Sequence, residues 1–129
     1  MKPTSSSKPN FEKLKVYRLA EDLADRIWNV VGTWDRFAKE TVGGQLVRAA
    51  DSVGANIAEG VGRGSHADNR RFVRMSRGSL YETIHFLRRA FRRQLLTKAQ
   101  TDALKPLLEE MPPRLNAYLN SIGRFSDAE

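Results

Sequence analysis

The sequence has no cysteine, which excludes disulfide bonds, thiolate metal ligands and thiol-based catalysis. It also has no apolar run that approaches the ~20 residues of a membrane-spanning helix. Residues 1–10 include lysine but no apolar stretch, so they do not resemble a secretory signal. Together these absences favour a cytoplasmic protein that does not enter a membrane.

The residues that are present fit one globular domain. The 129-residue chain is long enough for a single core, and its 40% hydrophobic and 29% charged residues are ordinary proportions for such a fold. Ser, Pro and Lys are frequent at the start, which predicts a flexible tail at residues 1–10. We expect the domain to occupy residues 11–123 and a loose C-terminal tail to follow at residues 124–129.

The net charge of +7 is concentrated in one segment, residues 63–93. That segment holds nine arginines, no lysine and two acidic residues, Asp68 and Glu82, so it alone accounts for the excess of positive charge. The planar guanidinium group forms paired hydrogen bonds with phosphate and carboxylate groups. The segment therefore indicates an anionic partner or ion pairs between subunits.

Apolar residues recur every three or four positions through most of the chain, and the alternation typical of strands does not persist. The predicted helices are residues 14–34, 40–61, 66–94 and a fourth that follows Thr97. Ser65 and Thr97 are the predicted caps of the third and fourth helices. Three prolines, Pro106, Pro112 and Pro113, are expected to kink or break the fourth helix. The predicted fold class is all-α, an up-down four-helix bundle.

The second predicted helix carries a polar stripe beside its apolar stripe. The apolar positions are Leu46, Ala50, Val53, Ile57 and Val61, and the polar positions are Gln45, Arg48, Ser52, Asn56, Glu59 and Arg63. We predict a hydrogen-bonded polar network between the second and third helices. Its members are Arg48, Asn56, Glu59 and Glu82. A solvated flank is the alternative, since charged side chains are seldom fully buried, and ligand binding by these residues is another.

Small residues mark two places where helices are expected to come close. Gly43 and Gly44 weaken the start of the second helix, so either that end frays or a neighbouring element approaches it closely. In the third helix, Ser76, Gly78 and Ser79 are expected to make room for a packed helix.

A run of residues in the second and third helices resembles a known family. It reads Gln45-x-x-Arg48-Ala49-Ala50-x-Ser52-x-x-x-Asn56-Ile57-Ala58-Glu59-Gly60-x-x-Arg63-x-Ser65, followed by Phe72 and Gly78-Ser79-Leu80-x-Glu82. The opening Phe11-x-x-Leu14-x-Val16-Tyr17-x-x-Ala20 fits the same family. Over about residues 11–96 the chain is similar to the four-helix-bundle proteins encoded in intervening sequences of bacterial large-subunit (23S) ribosomal RNA genes, which are sometimes labelled ribosomal-protein-like.

The resemblance implies small bundles that assemble as homopentameric rings. A related branch, the accessory proteins of diversity-generating retroelements, is basic, binds nucleic acid and acts together with a reverse transcriptase. Most members have no established biochemical activity, and the ribosomal label reflects the location of the gene. We therefore expect a homo-oligomer, and the state that the resemblance implies is a pentamer.

Motifs for metal binding and catalysis are incomplete. Glu82-x-x-His85 has the spacing found in di-iron bundles, but such a site needs a second copy of the motif on another helix. The glycines of Gly60-x-Gly62-x-Gly64 lack both a preceding strand and the lysine of a phosphate-binding loop. No serine stands in a nucleophile elbow. We predict no enzymatic activity, no metal and no cofactor, with His85 as an isolated residue on a helix surface.

Five arginines of the third predicted helix lie away from its apolar stripe and are the expected exposed surface. The residues predicted to bind nucleic acid are Arg70, Arg74, Arg77, Arg88 and Arg92. A ring of subunits would join them into a positive band that binds phosphates in a salt-dependent, sequence-independent way. A solvated basic face and inter-subunit salt bridges are the alternatives. Only Tyr81 and Phe91 are expected outside the core here for base stacking.

These observations predict a non-enzymatic homo-oligomer that binds nucleic acid, with RNA as the first candidate and DNA as the second, through its Arg-rich third helix. The rival hypothesis is a scaffold or adaptor ring that docks a protein partner and binds no nucleic acid, with the arginines serving assembly. The two differ in a measurable way, because phosphate binding weakens steeply as the salt concentration rises.

Overall fold

The computed structural model describes residues 10–124, and this part of the chain is helical without any strand. Its four long helices are α1 (Lys15–Val31), α2 (Gly44–Gly62), α3 (His66–Arg92) and α4 (Lys98–Ser121). A 3₁₀ turn precedes α1 at Asn10–Lys13, and two short helical segments, Arg36–Ala38 and Lys39–Gly43, lead into α2. The all-α prediction is confirmed. The tails predicted at residues 1–10 and 124–129 lie, apart from Asn10 and Arg124, outside the described residues.

Side-chain caps fix where two of the long helices begin. The Ser65 hydroxyl oxygen accepts a hydrogen bond from the backbone N–H of Asp68 at 3.1 Å. Thr97 and Gln100 form a reciprocal capping box at the start of α4. Each such cap stabilises its helix by about 1 kcal/mol because it satisfies amide groups that have no partner within the helix. Both predicted caps are confirmed.

The core is a layer of aliphatic side chains from all four helices. Its fully buried members include Leu23 and Ile27 of α1, Leu46, Val53 and Ile57 of α2, Val73 and Leu80 of α3, and Met111 and Leu115 of α4. Helix α1 packs against α2 and α4, and α3 packs against the same two helices, so the four enclose one bundle core. These pairings are compatible with an up-down course, which stays a prediction.

Close contacts between helices occur where small residues allow them. The Ser76 hydroxyl of α3 donates a buried hydrogen bond to the Val53 carbonyl of α2 at 2.7 Å. A Cβ added at Gly60 would lie 2.5 Å from the Asn69 Oδ1 atom of α3. A Cβ added at Gly43 would lie 2.9 Å from a Val31 methyl carbon, so a neighbouring element does approach the start of α2. Gly78 differs from the prediction: it is exposed, and a Cβ there would meet nothing within 4 Å.

The start of α2 and the course of α4 through its prolines differ from the predictions, and α1 and α3 end at Val31 and Arg92, a few residues before their predicted ends. Regular α-helix in α2 begins at Gly44, because the preceding five residues, Lys39–Gly43, form a π-helical segment. Helix α4 is not broken by its prolines, since it continues from Lys98 to Ser121 as one element that includes all three. A kink at those prolines stays a prediction. None of the described helices is long and apolar enough to cross a membrane.

Candidate nucleic-acid interface

Helix α3 presents its arginines in two groups, one near each end. The helix is 27 residues long, which corresponds to about 40 Å at 1.5 Å per residue. Its inner face is buried through residues such as Val73, Leu80 and Leu87. The exposed arginines of the helix and of the residue that follows it are Arg71, Arg74, Arg88, Arg89, Arg92 and Arg93. Three of the five residues predicted to bind nucleic acid are therefore exposed.

The other two predicted residues, Arg70 and Arg77, are half-buried and are bound to the C-terminal part of the chain. Arg70 Nη1 donates to the Ile122 carbonyl at 3.0 Å, and Arg77 Nη1 donates to Asn116 Oδ1 at 3.0 Å. The prediction that both are exposed is wrong, because they lie on the flank of α3 against which α4 packs. The sequence showed their distance from the apolar stripe but not the position of α4.

Arginines just before α3 and in its first turns form ion pairs and an aromatic contact with nearby residues. Arg71 lies 3.5 Å from an Asp68 carboxylate oxygen, and its guanidinium carbon is 4.5 Å from the centre of the Phe72 ring. Arg63 pairs with Glu59 at 3.2 Å. Among the described residues, by contrast, no acidic group lies within 4.0 Å of Arg74, Arg88 or Arg92. Arg89 and Arg93 are also exposed, and they too have no acidic group within 4.0 Å in this part of the chain. These five cations are therefore available to an external anion, and three of them belong to the predicted set.

The four residues of the predicted polar network do not lie in one place in the structure. Arg48 and Glu82 line one polar groove of about 280 Å³ between α2 and α3. Asn56 instead donates to the Ser52 carbonyl of its own helix at 2.9 Å. Glu59 likewise pairs along α2 with Arg63. The structure therefore brings two of the four residues together, and the network itself stays a prediction.

An apolar groove between α3 and α4 was not foreseen from the sequence. It has a volume of about 320 Å³ and is lined by Ile84, Leu87, Arg88, Phe91, Arg92, Leu96, Thr101, Leu104 and Leu108. Phe91 remains 53% exposed and Tyr81, ten residues earlier on the same helix, 52% exposed. Both aromatics are outside the core, as predicted. The groove itself could be found only once the packing of the first turns of α4 against the end of α3 was known.

Acidic residues collect on the other side of the bundle, between α1 and α2. Glu21, Asp25 and Asp51 line a groove of about 320 Å³ there, together with small residues such as Ala24 and Gly54. Burial raises the pKa of Asp51 above its ordinary value, and the negative charge of Asp25 raises it further. The molecule thus has a carboxylate-lined side and an arginine-lined side.

The Glu82-x-x-His85 motif lies on the exposed surface of α3. The imidazole of His85 packs edge-to-face with Phe86, with their ring centres 5.1 Å apart. Within residues 10–124, no three His, Asp or Glu side chains are close enough together to hold a metal ion.

The fold and surface define a small, basic, all-helical bundle protein whose helix α3 carries several exposed arginines. The family model for the 23S rRNA-intervening sequence protein matches residues 12–117, so the chain belongs to this family. This match confirms the resemblance inferred from the motif around Asn56 and Glu59. A search among curated proteins gave no match. The relationship to retroelement accessory proteins stays a prediction.

Proposed function

We propose that this protein is a non-enzymatic, homopentameric bundle that binds nucleic acid, with RNA as the first candidate and DNA as the second, through the exposed arginines of α3. The observation that carries the proposal is the exposure of Arg74, Arg88 and Arg92, none of which has an acidic group within 4.0 Å among the described residues. The family description refers to the intervening sequence of a 23S rRNA gene and names no ligand, so the choice of RNA is part of the proposal.

The arrangement of these arginines suits an extended phosphate chain. Arg74 and Arg92 are 18 positions apart in one helix, so about 27 Å of helix axis separates them. That length equals roughly eight phosphate spacings of 3.4 Å along one strand of a duplex. Contacts of this kind give strong attraction without reading base sequence.

The proposed pentamer follows the resemblance to ring-forming relatives. The carboxylate groove between α1 and α2 and the arginines of α3 are complementary surfaces on one chain. Contacts between two different surfaces of identical subunits generate a closed ring when the rotation permits closure. In such a ring, arginines left outside the subunit contacts would form a repeated basic surface.

A salt titration of RNA binding tests the proposal. We expect the logarithm of the affinity to fall linearly with the logarithm of the salt concentration. Combining Arg74→Glu, Arg88→Glu and Arg92→Glu should weaken binding strongly and reduce the slope by about 2 to 3, at about 0.7–0.9 per phosphate contact.

The matched control combines Lys15→Glu, Lys98→Glu and Lys105→Glu, which changes the net charge equally at exposed residues of α1 and α4. It should keep most of the affinity and the slope of the native protein. An affinity that does not respond to salt, or equal losses in the two variants, would contradict the proposal.

The rival function is a scaffold ring that docks a protein partner, with the arginines serving assembly. The observation that favours it is the acidic groove around Asp25 and Asp51, neither of which has a basic group within 4.0 Å in the part of the chain that the structure describes. Such a groove supplies anionic partners for arginines of a neighbouring copy. Under this hypothesis Arg74→Glu or Arg88→Glu alone dissociates the ring, and no nucleic acid copurifies. Retained RNA together with an intact ring in those variants would contradict it.

Several finer features belong to the same proposal. They are an up-down course of the four helices, a kink of α4 at its prolines, a relationship to retroelement accessory proteins and a cytoplasmic location, where the RNA would be met. The packing of α1 and α3 against both α2 and α4 supports the up-down course. The basic charge of α3 supports the relationship to retroelement accessory proteins.

A further inference from the structure

Phosphate binding by arginines does not account for the apolar groove between α3 and α4. Its walls are aliphatic, from residues such as Ile84, Leu104 and Leu108, and the half-exposed ring of Phe91 forms part of it. Arg88 and Arg92 belong to the same lining. An occupant that fits has a flat or apolar part for the groove and an anionic part beside it.

Aromatic and cationic side chains alternate along this flank of α3. Arg77 bonds to Asn116 of α4, and Arg88, Phe91 and Arg92 line the groove. At about 100° per residue, Tyr81 lies about 40° around the helix from Arg77 and about 20° from Arg88. Tyr81 and Phe91 are ten positions apart in the helix, or about 15 Å along its axis. Surfaces that combine a basic track with aromatic side chains are typical of proteins that bind single-stranded nucleic acid, whose bases stack on the rings.

We infer that the RNA bound at this surface is single-stranded, with one unpaired base inserted into the α3–α4 groove against Phe91 and its phosphate held by Arg88 and Arg92. Tyr81 offers a second stacking position on the same strand. The inference rests on one part of the proposed function, the binding of nucleic-acid phosphates to α3. It adds the form of the RNA and the residue that recognises its bases.

The physical reason for preferring a single strand is access to the base face. Bases in a duplex are stacked on one another, so neither Phe91 nor the aliphatic walls can reach them. An unpaired base exposes both faces, and its stacking on an aromatic ring depends little on sequence. A cavity of about 320 Å³ is within the size range of pockets that bind small organic groups.

The test compares three oligonucleotides with the same number of phosphates at one fixed salt concentration. They are a single-stranded RNA, its abasic counterpart and the corresponding duplex. The full chain is measured beside Phe91→Ala and Phe91→Leu, the second of which keeps the groove apolar. The matched control is Trp28→Ala, which removes an aromatic that is 66% exposed on α1. Circular dichroism checks that all variants keep the native helix content.

The native protein should bind the single strand more tightly than the abasic strand or the duplex. Phe91→Ala should weaken single-strand binding by roughly 5- to 150-fold, the effect expected for loss of one aromatic–base stack. The abasic strand should bind Phe91→Ala and the native protein equally, and Trp28→Ala should change none of the affinities. Phe91→Leu should also lose affinity, because aliphatic contact does not replace stacking.

Two results separate this inference from the proposed function. Equal binding of all three nucleic acids, unaffected by Phe91→Ala, would overturn the inference and leave phosphate binding by α3 intact. Absence of binding to any of them would overturn both. If Phe91→Ala left RNA binding unchanged but abolished binding of an acidic amphipathic peptide, the groove would be a protein docking site and the inference would be wrong.

Discussion

Gly60 of α2 and Gly78 of α3 lie in neighbouring helices, but the first is buried against another helix and the second is exposed. Gly60 is buried, and a Cβ there would lie 3.1 Å from the Asn69 carbonyl oxygen as well as close to its side chain. Gly78 is exposed and faces open space. Glycine is therefore required at position 60 by the contact with α3, whereas at position 78 it only lowers helix propensity.

Alanine at these two positions should have effects of opposite sign on the free energy of unfolding. Gly60→Ala should destabilise the protein by about 1–3 kcal/mol through overpacking. Gly78→Ala should stabilise it by about 0.5–1 kcal/mol, because alanine favours the helix. Denaturant unfolding of both variants checks this. A destabilised Gly78→Ala would indicate that another molecule packs against that position.

Asp51 gives a prediction for the pH dependence of stability. Burial and the charge of Asp25 raise its pKa, so the ionised carboxylate is less favourable in the folded chain than in the unfolded chain. The resulting penalty is present above the raised pKa and disappears as the pH falls through it. Asp51→Asn should therefore raise the melting temperature at pH 7, and this gain should shrink in acid.

Asp22→Asn is the matched control for that measurement. Asp22 accepts a hydrogen bond from Arg26 at 2.8 Å, so its charge is favourable in the folded state. The control should give no gain in melting temperature at pH 7. A gain for Asp51→Asn that persists undiminished in acid would show that charge is not its cause.

At the scale of helices, sequence periodicity predicted the number and approximate extent of all four. It could not predict the π-helical segment Lys39–Gly43 or the continuation of α4 through Pro106 and Pro112, because both depend on tertiary packing that overrides local preference. For the same reason, the half-buried positions of Arg70 and Arg77 were missed. Angular position on α3 was evident from the sequence, but the flank that α4 covers was not.

The contact between α3 and α4 includes the hydrogen bond from Arg77 to Asn116. Arg77→Ala should lower the free energy of unfolding by about 1 kcal/mol, since it removes a partly buried hydrogen bond and the packing of the arginine stem. Arg74→Ala, an exposed change only three positions away, should alter it by less than about 0.5 kcal/mol. Thermal unfolding of the two variants tests the difference, and equal effects would mean that the Arg77 link does not stabilise the bundle.

At the scale of the whole molecule, charge is distributed unevenly around the bundle. The sequence placed the excess positive charge in residues 63–93, and the structure shows which of those arginines lack an acidic neighbour among the described residues. The carboxylate groove and the apolar groove could not be predicted, because each is formed by two helices that pack together. One chain thus carries an acidic groove between α1 and α2 and a basic, partly apolar surface along α3.

The central claim is that copies of this chain assemble and hold RNA on the arginines of α3. Native mass at low and at high salt, read together with the absorbance of the purified sample at 260 nm, tests both parts at once. We expect a particle of five 14.6 kDa chains that carries nucleic acid at low salt and releases it at high salt. A single 14.6 kDa chain at both salt concentrations, with no absorbance from nucleic acid, would contradict the account.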